Sequence, residues 1–135
     1  IRLSLVGSEM CIRDSIYTDR DWDLAIDRYG STFDPTVGTQ RFYHSRSFKV
    51  GVPFTNPARY ENPEADALWD AAAIEVNPQK RREIFSKLQA VLLRDIPILP
   101  QVVATRNITS RTSVQGNAPF ATGSFDSFAQ AWLAA

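Results

Sequence analysis

The stretch NPEADALWDAAAIEVNPQKRREIFSKLQAVLLRD, residues 62–95, contains two Asn-Pro dipeptides, each followed by a run without glycine or further proline. An Asn side chain can accept hydrogen bonds from the free N–H groups of a first helical turn. Pro suits the first helical position because the N–H that it lacks would have no partner there. The stretch therefore predicts two helices, from Pro63 to Glu75 and from Pro78 to Arg94.

Apolar residues recur at spacings of three and four in both predicted helices, which is the pattern of a helix with one buried face. The residues expected on these faces are Leu68, Trp69 and Ala72 in the first helix and Ile84, Phe85, Leu88, Val91 and Leu92 in the second. A large apolar side chain contributes about 1.5 to 3 kcal/mol when it is fully buried. The second helix is therefore predicted to cover a partner surface.

Extended segments are predicted on both sides of the helices. Residues 22–27 alternate between apolar and acidic or small side chains, which favours a strand with one buried face. Asp34-Pro35 predicts a short helix toward Tyr43, and the Gly- and Pro-containing residues 45–61 predict a loop. Residues 96–105 predict a second extended segment, mostly buried at Ile98, Leu99, Val102 and Val103. A short amphipathic helix is expected from Phe125 to Leu133, so the fold class is predicted to be α/β.

Residues 1–15 differ in character from the rest of the chain. They hold its single Cys (Cys11) and single Met (Met10) and show no apolar period. The string from Gly7 to Ser15 resembles translated sequencing-adapter read-through, so we interpret residues 1–15 as non-native and exclude them from the fold prediction. A native loop with a short strand is the alternative. Without Cys11 the chain has no cysteine, which permits an oxidising compartment.

The charge balance and the scarcity of reactive side chains argue against several function classes. The chain has fifteen Lys and Arg residues and fifteen Asp and Glu residues, so no basic surface for nucleic acid is expected. The single histidine, His44, lies in a polar loop and is expected to be solvated, and one His cannot form a metal site alone. Asp23, Asp27 and Asp34 could form an acid/base pair, although a solvated strand face is the commoner explanation. No catalytic residue, metal or cofactor is predicted.

The order of motifs along the chain resembles a known family. An acidic aromatic strand and Asp34-Pro35 precede Tyr60-Glu61-Asn62-Pro63-Glu64-Ala65-Asp66-Ala67-Leu68, then Asn77-Pro78-Gln79-Lys80-Arg81, then Leu88-Gln89-Ala90-Val91-Leu92 and Asp95-Ile96-Pro97-Ile98-Leu99-Pro100. This order resembles the C-terminal part of bacterial extracellular solute-binding proteins of family 5, the peptide/nickel type. The resemblance covers nearly everything from Asp21 onward.

The resemblance implies the C-terminal portion of a two-lobed type II periplasmic-binding-protein fold. Residues 16–104 would belong to the second lobe, and residues 105–135 would cross the hinge and return to the first lobe. The implied function is capture of a small-molecule or short-peptide solute and its delivery to the permease subunits of an ABC importer. The intact protein would be periplasmic or otherwise extracytoplasmic, and it would meet the membrane only through the permease or an N-terminal lipid anchor. No nucleic acid partner is implied.

The resemblance also implies solute contacts at the end of the first predicted strand, from Arg28, Tyr29, Gly30, Ser31 and Asp34. In members that bind free peptides, an Asp three positions before the Asp-Pro pair commonly holds the α-amino group, and Ser31 stands at that position here. A neutral hydrogen bond is about half as strong as one to a carboxylate, so no dependence on a free amino group is expected. Ordinary surface placement of Arg28 and Tyr29 is the alternative. Two other classes remain open, a free-standing α/β interaction module and a hydrolase fragment using Asp27 and Asp34.

Overall fold

The computed structural model describes residues 13–30, 34–103, 109–116 and 131–134. The chain divides into two units, Ile1–Leu99 and Pro100–Ala135. The described part of the first unit contains a π-helical turn (Ser15–Asp19), helix α1 (Gln40–Tyr43), a 3-10 turn (Ser45–Ser47), helix α2 (Pro63–Ile74) and helix α3 (Pro78–Asp95). That of the second contains the strands β1 (Val114–Gln115) and β2 (Trp132–Leu133). None of the described helices combines the length and apolar character that crossing a membrane requires.

Helices α2 and α3 confirm the prediction made from the two Asn-Pro dipeptides. The Asn62 side chain accepts hydrogen bonds from the backbone N–H groups of Glu64 (2.9 Å) and Ala65 (3.4 Å). The Asn77 side chain does the same at the start of α3, with Gln79 (3.0 Å) and Lys80 (3.1 Å). Both caps satisfy N–H groups that have no partner inside a helix. The predicted helix ends lie within one residue of the observed ones.

The buried core of the first unit lies between α2 and α3. Its central cluster consists of Ala65 and Trp69 from α2 and Leu88 and Val91 from α3. The Trp69 ring stacks on Tyr43 at 6.3 Å between ring centroids and meets Phe85 edge-on at 6.1 Å. The predicted apolar faces are confirmed, with Leu68, Ile84, Phe85 and Leu92 partly rather than fully buried. Ala65, fully buried against α3, was not predicted because a small residue contributes little to an apolar pattern.

Both predicted extended segments are wrong as strands. Residues 21–30 and 96–103 contain no strand, and Leu24 and Val103 are 82% and 93% exposed. A strand requires a neighbouring strand for its backbone N–H and C=O groups and a covering layer for its apolar face. The only strand pair in the described ranges is formed by β1 and β2, which are antiparallel, with Val114 opposite Leu133. Among the described residues, the alternating segment 22–27 has neither a neighbouring strand nor a covering layer.

Two further predicted helices differ from the structure. Asp34 begins a turn in which its Oδ1 accepts hydrogen bonds from the Thr36 N–H (2.9 Å) and hydroxyl (2.8 Å). Such a local bond competes with helix formation, and α1 begins only at Gln40. The predicted C-terminal helix is wrong at its end, where Trp132 and Leu133 form β2 because they pair with β1. The rest of that prediction, residues 125–130, lies outside the described residues, as do residues 1–12 of the segment interpreted as non-native.

The predicted loop between α1 and α2 is organised around the buried side chain of Asn56, which is 0% exposed. Its amide nitrogen donates to the backbone carbonyls of Tyr60 (2.8 Å) and His44 (3.3 Å), and its Oδ1 accepts from the Tyr60 N–H (2.8 Å). Asn56, Phe54 and Arg59 have positive φ angles. A fully bonded side-chain amide thus replaces regular secondary structure as the support for this loop.

Candidate functional site

The residues predicted to contact a solute lie on both sides of a short gap in the described chain. Arg28 and Gly30 are exposed, and the space around Gly30 is open, since a Cβ placed there would meet nothing within 4 Å. Ser31 lies outside the described residues. Tyr29 is half-buried, and Asp34 lies in the turn that leads to α1. Of the predicted residues that the structure describes, Arg28 and Gly30 are therefore the two in the exposed class.

Tyr29 is held in an aromatic group rather than extended into solvent. Its ring packs on Phe42 at 4.6 Å between centroids and meets Phe54 edge-on at 6.3 Å. The nearby Tyr17 is 1% exposed and donates its hydroxyl proton to Asp27 Oδ2 at 2.9 Å. Burial, followed by hydrogen bonds with Tyr29 and Asp27, raises the pKa of Tyr17 well above its usual range. Both tyrosines are thus neutral, fixed groups that anchor the segment bearing Arg28.

Asp34 forms an ion pair that the sequence did not indicate. Arg81 of α3 places its Nη2 at 2.8 Å from Asp34 Oδ1 and 3.0 Å from Oδ2. Its Nε donates to the carbonyl of Ala72, in the last turn of α2, at 2.9 Å. Hydrogen bonds from Arg81 and then from Thr36 hold the pKa of Asp34 to about 2. Asp34 therefore acts as a negatively charged anchor between its turn and α3, and a 47-residue separation hid this pairing from sequence reasoning.

His44 is buried, which corrects the prediction that it is solvated. The residue is 3% exposed, and its ring lies between Asp66 and Asp70, one turn apart on α2, with a 3.3 Å contact to each. The backbone N–H of Arg46 donates to Nδ1 at 3.1 Å. Burial of a polar ring is favourable only when its nitrogens have partners, and α2 supplies them. Two Asp residues at a spacing of four were the signal available in the sequence.

A polar cavity of about 410 Å³ lies beside this histidine, at the start of α2. Its lining consists of Ser45, Arg46, Glu61, Asn62, Pro63 and Asp66. Asp66 accepts hydrogen bonds from both the N–H and the hydroxyl of Ser45, and Arg46 forms an ion pair with Asp70. These contacts occupy much of the hydrogen-bonding capacity of the lining. The cavity is a second candidate surface, built mainly from groups that stabilise one another.

Three residues of the motif that carries the family resemblance meet at one carboxylate. The Tyr60 hydroxyl and the Asn62 side-chain amide both donate to Asp95 Oδ2, each at 2.6 Å. Arg94 also donates a hydrogen bond to Asp95. Hydrogen bonds from Arg94, which has the largest effect, and then from Tyr60 and Asn62 lower the pKa of Asp95 to about 2. Burial and the bond to Asp95 raise the pKa of Tyr60 to about 12. The hydrogen bonds from Tyr60 and Asn62 join the residues before α2 to Asp95, the last residue of α3. We name these three residues and their two hydrogen bonds the Asp95 tether.

The described side chains do not form a metal centre. Among these residues, no three His, Cys, Asp or Glu side chains are grouped in a way that could hold a metal ion. Asp27 and Asp34, the residues of the hydrolase alternative, are engaged by Tyr17 and Arg81 respectively. Comparison with known proteins adds no assignment, since no family model, curated protein or solved structure matches the chain. A functional assignment for this chain therefore depends on its side-chain geometry and on the order of its motifs.

Proposed function

We propose that this chain is the C-terminal part of a two-lobed solute-binding protein, which captures a solute outside the cytoplasm and delivers it to an ABC-type importer. The observation that carries the proposal is the Asp95 tether. Tyr60, Asn62 and Asp95 are separated by up to 35 positions, yet they contact one another. The spacing of the motifs on which the resemblance rests thus brings their residues into contact, and these contacts stabilise the pair of helices α2 and α3.

The exposed apolar residues that precede and follow the two helices in the sequence support the same proposal. Leu24 and Ile26 are 82% and 90% exposed, and Val102 and Val103 are 85% and 93% exposed. Residues 22–27 also retain the alternating pattern of a half-buried strand. Apolar surface of this extent is costly in water and is normally covered by another element. A larger lobe, in which these segments join a sheet, would supply the missing neighbours.

The accessible residues Arg28 and Gly30 are proposed to face the solute, with Tyr29 holding their segment in place. Asp34 is proposed to position this edge through Arg81 rather than to bind the solute directly, since its carboxylate already accepts hydrogen bonds from Arg81 and Thr36. Recognition would then depend on Arg28, on backbone groups and on the Ser31 hydroxyl. This combination suits a solute that has hydrogen-bonding or anionic groups and does not require a free α-amino group.

Calorimetric titration of the intact parent protein with short peptides, oligosaccharides and nickel chelates tests the proposal. We expect one of these classes to bind with a dissociation constant in the micromolar range, and we expect the radius of gyration to fall as the lobes close. Arg28→Ala should weaken that binding about tenfold or more, equivalent to about 1.4 kcal/mol. Arg82→Ala, which removes an exposed arginine on α3, is the matched control and should leave binding within about twofold. Absence of any solute binding, together with a gene neighbourhood lacking permease genes, would reject the proposal.

A further inference from the structure

Two arginines meet on one aromatic ring in the part of the chain that precedes α2. The guanidinium carbon of Arg20 lies 4.1 Å from the centroid of the Phe48 ring, and that of Arg59 lies 5.5 Å from it. Neither arginine forms a salt bridge within the described residues. Two positive charges are therefore held near each other without a neutralising carboxylate.

Arg20 also has hydrogen-bond donors without a partner. Its Nη1 donates to the carbonyl of Pro57 at 3.0 Å. Its Nε and Nη2 are buried and have no hydrogen-bond partner in the described part of the chain. These two nitrogens form one edge of the planar guanidinium, and this edge matches two oxygens of a carboxylate or phosphate group. A buried donor without a partner has lost its hydration without gaining a hydrogen bond, so an oxyanion at this edge would relieve a cost present in the free chain.

The backbone holds both arginines in an uncommon conformation. Arg20 has a φ angle of 53° and Arg59 one of 50°, and both residues lie in the left-handed region that glycine prefers. Non-glycine residues held in this region are strained, and such residues cluster at ligand clamps and active sites. Burial, and then the charge of Arg59, also lowers the pKa of Arg20. Strain, burial and charge repulsion thus act on the same small group of residues.

We propose that Arg20 and Arg59, supported by Phe48, form a binding site for a small oxyanion, that is, a carboxylate or phosphate group. The anion accepts two parallel hydrogen bonds from Nε and Nη2 of Arg20, and Arg59 neutralises its remaining charge. Because those two nitrogens are covered in the free chain, binding requires the side chains around them to move aside. The proposed site uses none of the residues predicted to contact the solute, and the inference does not depend on the proposed transport function.

Arginine Nε–H resonances of the isotopically labelled full chain provide the test, with sodium acetate and sodium phosphate titrated separately against sodium chloride at constant ionic strength. We expect a saturable shift of the Arg20 Nε–H with acetate or phosphate, and the tighter of the two identifies the anion class. Arg59→Gln should raise the dissociation constant about tenfold, as expected for loss of one charge-assisted contact. The matched control, Arg82→Gln on α3, should leave it unchanged.

Arg20→Lys keeps the positive charge but removes the planar edge, so it should abolish saturable binding while the circular dichroism spectrum is retained. If Arg20→Lys fails to fold, Arg59→Gln still decides the matter, because Arg59 is exposed and makes no side-chain hydrogen bond within the described ranges. The proposal would be overturned by an Arg20 shift that rises linearly with anion concentration, or by a saturable shift that Arg59→Gln leaves unaltered. In either case the guanidinium serves only to hold the loop against Pro57 and Phe48.

Discussion

Replacing Leu88 by Ala tests the packing between α2 and α3. Leu88 is 2% exposed and belongs to the buried cluster with Ala65, Trp69 and Val91. The substitution removes three buried carbon atoms, which at about 0.8 kcal/mol each gives about 2.4 kcal/mol of lost transfer free energy. The large Trp69 ring beside it cannot collapse easily into the vacated space, so a cavity penalty of about 1 kcal/mol or more is added. We expect the free energy of unfolding to fall by about 3 to 4 kcal/mol.

Urea denaturation followed by circular dichroism at the helix band measures this loss, because α2 and α3 contain most of the described helical residues. Lys87→Ala is the matched control. Lys87 precedes Leu88 on the same helix and is exposed, so its removal should change stability by less than about 0.5 kcal/mol. A loss below about 1 kcal/mol for Leu88→Ala, or equal losses for the two variants, would show that this face of α3 is not the core.

Three other predictions concern the caps, the acid dependence and the solute. Asn62→Ala and Asn77→Ala should each cost about 1 kcal/mol in urea denaturation, with the larger loss for Asn62 because it also bonds to Asp95; equal losses would contradict a stabilising role for that bond. Because the pKa of Asp34 is lowered to about 2 in the folded chain, its stabilising contribution, about 1 kcal/mol after solvent screening, is present above about pH 4 and is lost as the pH falls toward 2. Asp34→Asn should therefore flatten the acid limb of the stability profile, and an unchanged limb would count against the pair with Arg81. In the intact parent protein, N-acetylation of a bound peptide should weaken its affinity less than tenfold, and a hundredfold loss, about 2.7 kcal/mol, would show that an acidic group holds the amine despite Ser31.

The helices could be predicted from the sequence because their determinants are local. Asn62 and Asn77 cap the turns that immediately follow them, and the spacing of Leu88 and Val91 sets the buried face of α3. These relations involve residues within a few positions of one another, so a pattern in the sequence describes them completely. This agreement between capping and apolar spacing explains why the predicted ends of α2 and α3 lie within one residue of the observed ends.

The contacts that shape the candidate site depend on residues far apart in the chain. The Asp34–Arg81 pair spans 47 positions, and His44 is buried by Asp66 and Asp70 of a later helix. Neither could be inferred, because periodicity does not report which elements meet in space. The strand predicted at residues 22–27 failed for a related reason, since its alternation describes a surface that needs a neighbour and the described chain offers none.

The Asp95 tether has a consequence for how the first unit opens. By joining Tyr60, two positions before the Asn62 cap, to the final residue of α3, it fastens the start of α2 to the end of α3. Fraying of either end must break hydrogen bonds at the other, so α2 and α3 should open as one cooperative unit rather than turn by turn. Amide hydrogen exchange should accordingly give a common opening free energy for the two helices. Substituting Tyr60 by Phe should split that value, allowing the last turn of α3 to exchange ahead of the Trp69 and Leu88 turns.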